Sequence, residues 1–318
     1  MSRGIRNLIV SVPTEDLAAD VGPLPDGVEL VVWPMDGPAP RERFDIVVPP
    51  YMSMARVLDR LDGVEVALVQ GQSIGYDGVA GILPDGLVFA NAASVHETST
   101  AELAVGLVIG SQRHLDVFAR DTAEGRWAPH STQSLADRRV LLLGYGGVGK
   151  AVAARLAPFE VHLTAVARSA RVEEGMPVHG VDELPELLGE AEIVIVTLPG
   201  GAETRHIVDD AFLSALPDGA LLVNVGRGSL VDTDALVSHV QGGRIRAALD
   251  VTEPEPLPAG HPLWEHPGVL VTPHVGGDSS AMAPRIAKLV RTQIERMARG
   301  EAPLNVVLGG ASSPRTQE

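Results

Sequence analysis

The chain has 318 residues, 45% of them hydrophobic, which fits one large or two ordinary domains with full cores. Its formal net charge of −16 argues against general binding to nucleic acid or to an anionic membrane, because both are negatively charged. The absence of cysteine excludes disulfides, thiolate catalysis and cysteine-ligated metal sites, and no metal is expected. Since neither a signal-like N-terminus nor a run of 18 apolar residues is present, we expect a cytoplasmic protein.

Residues 7–96 alternate short β-type runs with loops, which predicts a small α/β domain. The expected elements are strands at Leu8–Val12, Val28–Val32, Ile46–Val48 and Val66–Val69, and a helix at Met54–Leu61. One loop after a strand contains Tyr51 and Met52, and another contains Ser73, Ile74 and Gly75. From the residues alone, both are either ordinary turns or ligand-binding loops, because open α/β sheets bind ligands beyond their strand ends.

A long helix is predicted next, because Ser99 and Glu102 have capping-box spacing ahead of an apolar run. We expect it to reach about Ala119 and to lead out of the first domain. His96 and Glu97, just before it, are interpreted as solvated loop residues, with a catalytic role as the alternative.

The polar segment 121–137, which contains Trp127, is interpreted as an excursion between elements that reaches toward a partner subunit.

A glycine-rich turn dominates the middle of the chain. Val140–Leu143 reads as a strand, Gly144, Gly146 and Gly149 form G-x-G-x-x-G, and Lys150–Leu156 reads as a helix. In this context the glycines permit a tight turn and a close backbone approach to a pyrophosphate, which the helix N-terminus also attracts. The pattern predicts dinucleotide binding, and the alternative is a glycine turn needed only for packing.

The β–α alternation then continues, which predicts a doubly wound parallel sheet. Strands are expected at Ile193–Leu198, Ala220–Val225, Ile245–Leu249 and Val269–Thr272, and helices at Phe212–Leu216, from Asp232 through Val240, and at Ala281–Arg299. The tail from Gly309 is expected to be disordered.

Polar residues follow three of these strands: Arg227, the segment Asp250–Glu255, and His274. A guanidinium, a carboxylate and an imidazole beside a dinucleotide are the groups needed to reduce a 2-keto acid by hydride. For each residue taken alone, the alternatives are a surface residue for Arg227, a core histidine for His274, and a solvated acid for Glu253 or Glu255.

The chain resembles the D-isomer-specific 2-hydroxyacid dehydrogenases over nearly its full length. The resemblance rests on four motifs: Gly144–Gly149, Asn224–Gly228, Leu249–Leu257 and Thr272–His274. It implies an α/β fold in which a doubly wound parallel-sheet (Rossmann) cofactor domain is inserted in a smaller flavodoxin-like α/β substrate domain. The implied boundaries are 1–98 with 286–308, 99–285, and a tail at 309–318. It also implies a homodimer paired through the cofactor domain.

The same resemblance implies roles for individual residues. Arg227 is expected to bind substrate, His274 to act as the acid/base and Glu255 as its partner. The backbone amides of Ile74 and Gly75 are expected to hold the substrate carboxylate. The predicted cofactor-binding set, from the motifs and the resemblance together, is Gly144, Tyr145, Gly146, Gly147, Val148, Gly149, Ala167, Arg168, Ser169, Leu198, Pro199, Thr204, Val225, Gly226, Asp250 and Thr100. The implied substrate-binding set is Ser73, Ile74, Gly75, Tyr51 and Met52.

The end of the second strand of the cofactor domain bears on the choice of cofactor. NAD enzymes place an acid there to bind the ribose 2′-hydroxyl, but this chain has Ala167, followed by Arg168 and Ser169. A small residue with two donors suits a 2′-phosphate, and Arg171 is a further candidate donor. The sequence therefore predicts a preference for NADP(H) over NAD(H); the alternative is that Arg168 is a surface residue and NAD(H) binds.

The expected activity is hydride transfer between NADP(H) and a small 2-keto or 2-hydroxy acid, as in glyoxylate/hydroxypyruvate reductases. One alternative is a phosphoglycerate- or phosphite-type dehydrogenase of the same superfamily. Another, from a different class, is a cofactor-sensing protein that resembles transcriptional corepressors.

Overall fold

The computed structural model describes residues 7–309, which fold into two compact units. The first unit combines residues 7–96 with 280–309, and the second is Glu97–Ser279. Of the tail predicted to be disordered, residues 310–318 lie outside the described residues.

Strands and helices alternate along most of the chain. The strands are β1 (Leu8–Val12), β2 (Val28–Val32), β3 (Arg43–Val47), β4 (Glu65–Gln70), β5 (Phe89–Ala90), β6 (Arg139–Leu143), β7 (His162–Ala167), β8 (Arg171–Glu173), β9 (Met176–Gly180), β10 (Ile193–Val196), β11 (Ala220–Asn224), β12 (Ile245–Leu249), β13 (Val269–Val271) and β14 (Val306–Leu308). The helices are α1 (Glu15–Val21), α2 (Glu97–Gln112), α3 (Leu115–Ala123), α4 (Gly147–Leu156), α5 (Leu184–Leu188), α6 (Asp210–Ala215), α7 (Thr233–Gln241) and α8 (Met282–Ala298).

The first unit is built on a sheet with the order β14-β5-β4-β3-β1-β2. Strands β1 to β5 pair in parallel in the flavodoxin-like order, and β14 joins β5 antiparallel. Both faces of the sheet are covered, because neighbouring residues such as Ile46 and Val47 enter different core clusters. Helix α8 contributes Ile286 and Val290 to one of these cores.

The second unit is built on a sheet with the order β13-β12-β11-β10-β6-β7-β9-β8. From β9 to β13 the pairing is parallel and the order is that of a doubly wound dinucleotide-binding fold, which confirms the predicted class. Leu141 and Leu143 enter one core cluster while Val140 and Leu142 enter the other, as expected for a strand buried on both faces.

Several predicted helices were wrong in detail. Segment 54–61 forms two short 3₁₀ turns, Met54–Arg56 and Leu58–Leu61, in place of one helix. The long helix predicted to reach Ala119 is interrupted after α2, because His114 has a left-handed φ of 50°.

The predicted capping box was also wrong. Helix α2 begins at Glu97, so Ser99 lies inside its first turn, and the Ser99 hydroxyl is hydrogen-bonded to the Ser279 hydroxyl at 2.7 Å. Within residues 7–309, no helix combines the length and apolar character that crossing a bilayer requires.

Candidate active site in the second unit

The carboxyl ends of parallel strands lie along one edge of a sheet, and the polar motifs of the second unit follow those ends. The glycine turn follows β6, Arg227 comes shortly after β11, Asp250 directly follows β12, and His274 comes shortly after β13. The fold thus gathers these residues along one edge, although 130 positions separate Gly144 from His274 in the chain.

The glycine turn provides a test of its two interpretations. Gly144 has a φ of +108°, and a Cβ there would lie 2.8 Å from Thr197 Oγ1; a Cβ on Gly149 would lie 2.1 Å from the Gly144 carbonyl oxygen. Packing alone therefore requires these two glycines. Around Gly146 nothing lies within 4 Å of an added Cβ, and Gly146 is the N-cap residue of α4. Open space at a helix start suits the close approach of a phosphate, so the cradle fits a dinucleotide.

The end of β7 presents the residues predicted to select the cofactor. Ala167 is 9% exposed at the last position of β7. Arg168 forms an ion pair of 2.7 Å with Glu203, and their side chains are 85% and 78% exposed. Arg171 donates to the Tyr145 carbonyl oxygen at 3.3 Å, which ties this segment to the glycine turn. Arg168 is therefore both a surface residue and a cation within the chain segment where a 2′-phosphate would be bound.

Asp250 organises the loop that carries His274, a role the sequence did not reveal. This aspartate is 3% exposed. Its Oδ1 accepts from the Thr272 hydroxyl at 2.7 Å and from the Val275 amide at 2.9 Å, and its Oδ2 accepts from the Gly276 amide at 2.8 Å. The His274 amide in turn donates to the Asp250 carbonyl oxygen at 2.8 Å. These bonds hold His274 at a φ of 54°, a conformation that residues other than glycine seldom adopt.

His274 and Glu255 form the central pair, with 2.5 Å between imidazole Nδ1 and carboxylate Oε1. The hydrogen bond to Glu255 raises the pKa of His274 above its usual value, against the opposing effect of burial. For Glu255, burial favours the neutral acid, but the hydrogen bond and charge of His274 outweigh it, so the pKa of that carboxyl is lowered. The pair is thus biased toward imidazolium and carboxylate. Glu253, the other candidate acid, instead contacts Arg205 at 2.8 Å and His206 at 3.2 Å.

Arg227 acts electrostatically on the same pair, because its charge lowers the pKa of both Glu255 and His274. Its backbone is fixed by Asn224, whose side chain accepts from the Gly226 amide at 3.0 Å and donates to the Arg227 carbonyl oxygen at 2.8 Å. No role was predicted for Asn224 itself; an asparagine that bonds to backbone two residues on is typical of turns, which is the signal that identifies it. The structure thus brings Arg227 close enough to Glu255 and His274 for its charge to affect both of them.

Most of the remaining predicted cofactor residues follow strand ends at the same edge, and Thr100 lies in the first turn of α2. Thr204 Oγ1 donates to the Pro199 carbonyl oxygen at 2.9 Å and so closes the loop after β10. Val225 and Thr100 are 7% and 8% exposed. Leu198, Gly226, Tyr145, Gly147, Val148 and Ser169 belong to the loops after β10, β11, β6 and β7 or to the start of α4.

The predicted substrate residues belong to the first unit. Met52 is 62% exposed, and the Tyr51 ring stacks on the His96 ring with centroids 5.8 Å apart. Ser73, Ile74 and Gly75 follow β4 and are half-buried. The interpretation of His96 as a solvated loop residue was wrong, because it is 4% exposed and its Nε2 lies 2.6 Å from the Gln72 carbonyl oxygen.

Comparison with known proteins gives consistent results. The family described as D-isomer specific 2-hydroxyacid dehydrogenase, NAD binding domain, matches residues 105–276. A glyoxylate reductase from Thermofilum pendens is 30% identical over 78% of this chain and 76% of its own length.

Two solved structures also align over almost the whole chain. An NADPH-dependent glyoxylate/hydroxypyruvate reductase from Sinorhizobium meliloti, solved with NADP and malonate, is 29% identical, covers 96% of this chain and 98% of its own, and has a TM-score of 0.79. A D-isomer specific 2-hydroxyacid dehydrogenase from Xanthobacter autotrophicus Py2, solved with NADPH and MES, is 29% identical with coverages of 95% and 98% and a TM-score of 0.78.

Proposed function

The chain belongs to the D-isomer specific 2-hydroxyacid dehydrogenase family, and from that premise we propose that it reduces a small 2-keto acid of the glyoxylate or hydroxypyruvate type, with NADPH as the preferred reductant. Membership makes it an NAD(P)-dependent oxidoreductase. The observation that carries the proposal is the His274–Glu255 pair, whose histidine lies in a loop held by a buried aspartate at the same sheet edge as the glycine cradle.

In this proposal, His274, Glu255 and Arg227 of the second unit each have a separate role in the reaction. A dinucleotide held by its pyrophosphate in the glycine cradle would supply, from its reduced nicotinamide, the hydride that the keto carbon receives. His274 Nδ1 is occupied by Glu255, so Nε2 is the nitrogen that donates a proton to the substrate oxygen. The raised pKa of His274 keeps the imidazolium available near neutral pH. The Arg227 guanidinium stabilises the negative charge that develops on that oxygen.

The first unit supplies carboxylate recognition in this proposal. The backbone amides of Ile74 and Gly75 bind the substrate carboxylate, with Ser73 beside them in the same loop. Tyr51 and Met52 line the space for the substrate side chain. Support comes from the position of the two loops, which follow strands β3 and β4 of a parallel sheet.

The preference for NADPH is supported by the end of β7. Ala167 offers no carboxylate to repel a phosphate, and Arg168 and Ser169 offer donors. Two similar proteins of known structure were solved with NADP or NADPH. Asp250 is proposed as the carboxylate near the nicotinamide.

A spectrophotometric screen tests the proposal. Glyoxylate, hydroxypyruvate, pyruvate and 3-phosphohydroxypyruvate are each offered with NADPH and with NADH, and phosphite is offered with the oxidised cofactors. We expect turnover of a small, unphosphorylated 2-keto acid and a lower KM for NADPH. Turnover restricted to 3-phosphohydroxypyruvate or phosphite would favour the alternative dehydrogenases, and tight cofactor binding without turnover would favour a sensor.

We also propose that two copies pair through the second unit. The Trp127 side chain is 94% exposed and Leu115 is 52% exposed, both within the segment that follows α2. A contiguous patch of exposed apolar side chains marks an interaction surface, and we propose that these two side chains belong to one. Light scattering should give twice the chain mass, and Trp127→Asp should shift the protein toward the single-chain mass; a wild-type mass of one chain would refute the dimer. The cytoplasmic location stays a prediction.

A further inference from the structure

Three consecutive carbonyl groups in the first unit are each held by a hydrogen bond to one short segment. They belong to Gln72, Ser73 and Ile74, in the loop proposed to bind the substrate carboxylate. The donors, here called the carbonyl clamp, are His96 Nε2 at 2.6 Å, the Ala92 amide at 2.9 Å and Asn91 Nδ2 at 2.8 Å, in that order. A carbonyl oxygen only accepts, so His96 Nε2 carries a hydrogen in this contact.

The clamp determines where the amides of the loop point. In a trans peptide the carbonyl of one residue and the amide of the next point in opposite directions. The cis peptides of the described residues are Glu253–Pro254 and Glu255–Pro256, so the loop peptides are trans. The amides of Ser73, Ile74 and Gly75 therefore point away from the clamp. Within residues 7–309 these three amides have no hydrogen-bond acceptor in the chain.

Successive amides that point to one side form a site for an anion, because several N–H dipoles converge on it. All three residues are half-buried, so the loop is partly exposed to solvent. The direction of the amides thus follows from bonds on the opposite side of the loop.

His96 also fixes the second of the two proposed substrate loops. Its ring lies nearly parallel to the Tyr51 ring, at an angle of 16°. Gln72, whose carbonyl His96 holds, donates its side-chain amide to the Pro49 carbonyl oxygen at 2.8 Å. A single buried side chain therefore connects the loop that contains Tyr51 with the loop that contains Gly75.

We propose that His96 is a positioning residue for carboxylate recognition: its ring N–H holds the Gln72 carbonyl and so aims the Ser73, Ile74 and Gly75 amides at the carboxylate, while its ring face orients Tyr51. This inference rests on the proposed function for the identity of the substrate, a 2-keto carboxylate. His96 acts through the loop and not on the reacting atoms.

A pair of substitutions separates the two contacts of His96. His96→Phe keeps an aromatic ring against Tyr51 and removes the N–H donor, whereas His96→Gln keeps a donor and removes the ring. We expect His96→Phe to weaken oxalate binding to the NADP⁺-loaded protein, measured by calorimetry, by about tenfold, the equivalent of about 1.4 kcal/mol. The KM for the keto acid should rise in proportion and by more than kcat changes. His96→Gln should recover most of the oxalate affinity.

Trp33→Phe is the matched control. Trp33 is 4% exposed, its ring stacks on Phe44 with centroids 5.6 Å apart, and its ring N–H donates to the Gly37 carbonyl oxygen at 3.3 Å. This variant loses the same kind of bond in the same unit and should lower the melting temperature without changing oxalate affinity. Should His96→Phe fail to fold, Asn91→Ala, which releases the Ile74 carbonyl, is expected to weaken oxalate binding in the same direction.

The outcomes distinguish this inference from the proposed function. Wild-type oxalate affinity in His96→Phe, or in Asn91→Ala if that variant is the one measured, would overturn the inference. An oxalate affinity that depends on His96 in a protein that reduces no 2-keto acid would overturn the proposed function and leave the carboxylate site standing. If the wild-type protein neither binds oxalate nor turns over a keto acid, both are overturned.

Discussion

Two ion pairs of the second unit have similar lengths and very different surroundings. His274 and Glu255 are 2.5 Å apart with side chains 30% and 39% exposed, and Arg168 and Glu203 are 2.7 Å apart with side chains 85% and 78% exposed. In the first pair, His274 lies in a loop that Asp250 holds by accepting three hydrogen bonds. The second connects the tips of two long side chains at the surface.

The contrast shows what burial and backbone support add to a charge contact. Partial burial by itself disfavours both charged forms, but the hydrogen bond and the opposite charges of His274 and Glu255 outweigh it and move both pKa values toward imidazolium and carboxylate. An ion pair as exposed as Arg168–Glu203 is screened by water and ions, so it contributes little to stability and exchanges partners readily. The first arrangement suits the acid role proposed for His274, and the second suits the phosphate-binding role proposed for Arg168.

The largest expected effect is at His274. His274→Gln removes the proposed proton donor and should lower kcat by about 10² to 10⁴, while the dissociation constant for NADPH changes little. The control is His239→Gln, which removes another imidazole–carboxylate contact of the same unit, 3.0 Å from Asp210, and should leave kcat at the wild-type value. Equal kcat values for the two variants would remove His274 from the mechanism. Single-turnover and steady-state kinetics make the measurement.

Asp250→Asn should have the next largest effect, because an amide cannot accept at both positions. In the variant, an NH₂ group replaces one of the two carboxylate oxygens and faces a backbone N–H, which is also a donor. The lost hydrogen bond should cost about 1–3 kcal/mol in the free energy of unfolding. Denaturant titration should show this loss, and kcat should fall because the loop of His274 is released. Asp209→Asn, at the N-cap of α6, is the matched control, with one bond to the Phe212 amide. A stability loss no larger than in the control would contradict the organising role.

Glu255→Gln tests the polarised pair through its pH dependence. Glu255 raises the pKa of His274, and reduction requires the protonated imidazole, so the rate of reduction falls as pH rises through that pKa. Removing the carboxylate lowers the pKa and moves this descending limb to lower pH. The pH profile of kcat/KM for reduction measures the shift, and a limb at the wild-type pH would contradict the pairing.

The smallest expected effect is at the exposed pair. Arg168→Ala should weaken NADPH binding by about tenfold, the loss of one charge-assisted contact to phosphate, with NADH binding nearly unchanged. Glu203→Gln releases Arg168 from its partner and should strengthen NADPH binding by a smaller factor. Fluorescence titration of both cofactors gives the constants. An equal effect on NADPH and NADH would identify Arg168 as a surface residue only.

Local patterns in the sequence predicted the elements whose causes are local. Strands β1, β2 and β12 have the predicted bounds because each is a short, mostly apolar run flanked by turn residues. The capping-box pattern at Ser99 was misleading, because the hydroxyl of Ser99 bonds to Ser279, 180 residues away, and the helix begins earlier. The β8–β9 hairpin was missed since its strands are short and partly exposed.

In the candidate site, too, features with local causes were predicted and features that depend on distant partners were missed. The glycine motif and the strand-end residues Arg227 and His274 could be predicted from their sequence context. The roles of Asp250 in the His274 loop and of His96 in the carbonyl clamp could not, because each depends on partners brought close only by the folded chain. His96 illustrates the difficulty well: a polar residue before a helix reads as solvated, and only its burial reveals what it holds.

The open space around Gly146 has a practical consequence. A methyl group there meets no atom of the polypeptide, and the backbone at φ −90° and ψ −159° accommodates alanine, so Gly146→Ala should melt like the parent protein. The same methyl group would occupy volume that a pyrophosphate needs, and added cofactor should then no longer raise the melting temperature. Gly146→Ala would therefore give a correctly folded reference protein that does not bind the dinucleotide. The effects of ligand binding on the parent enzyme could be measured against it.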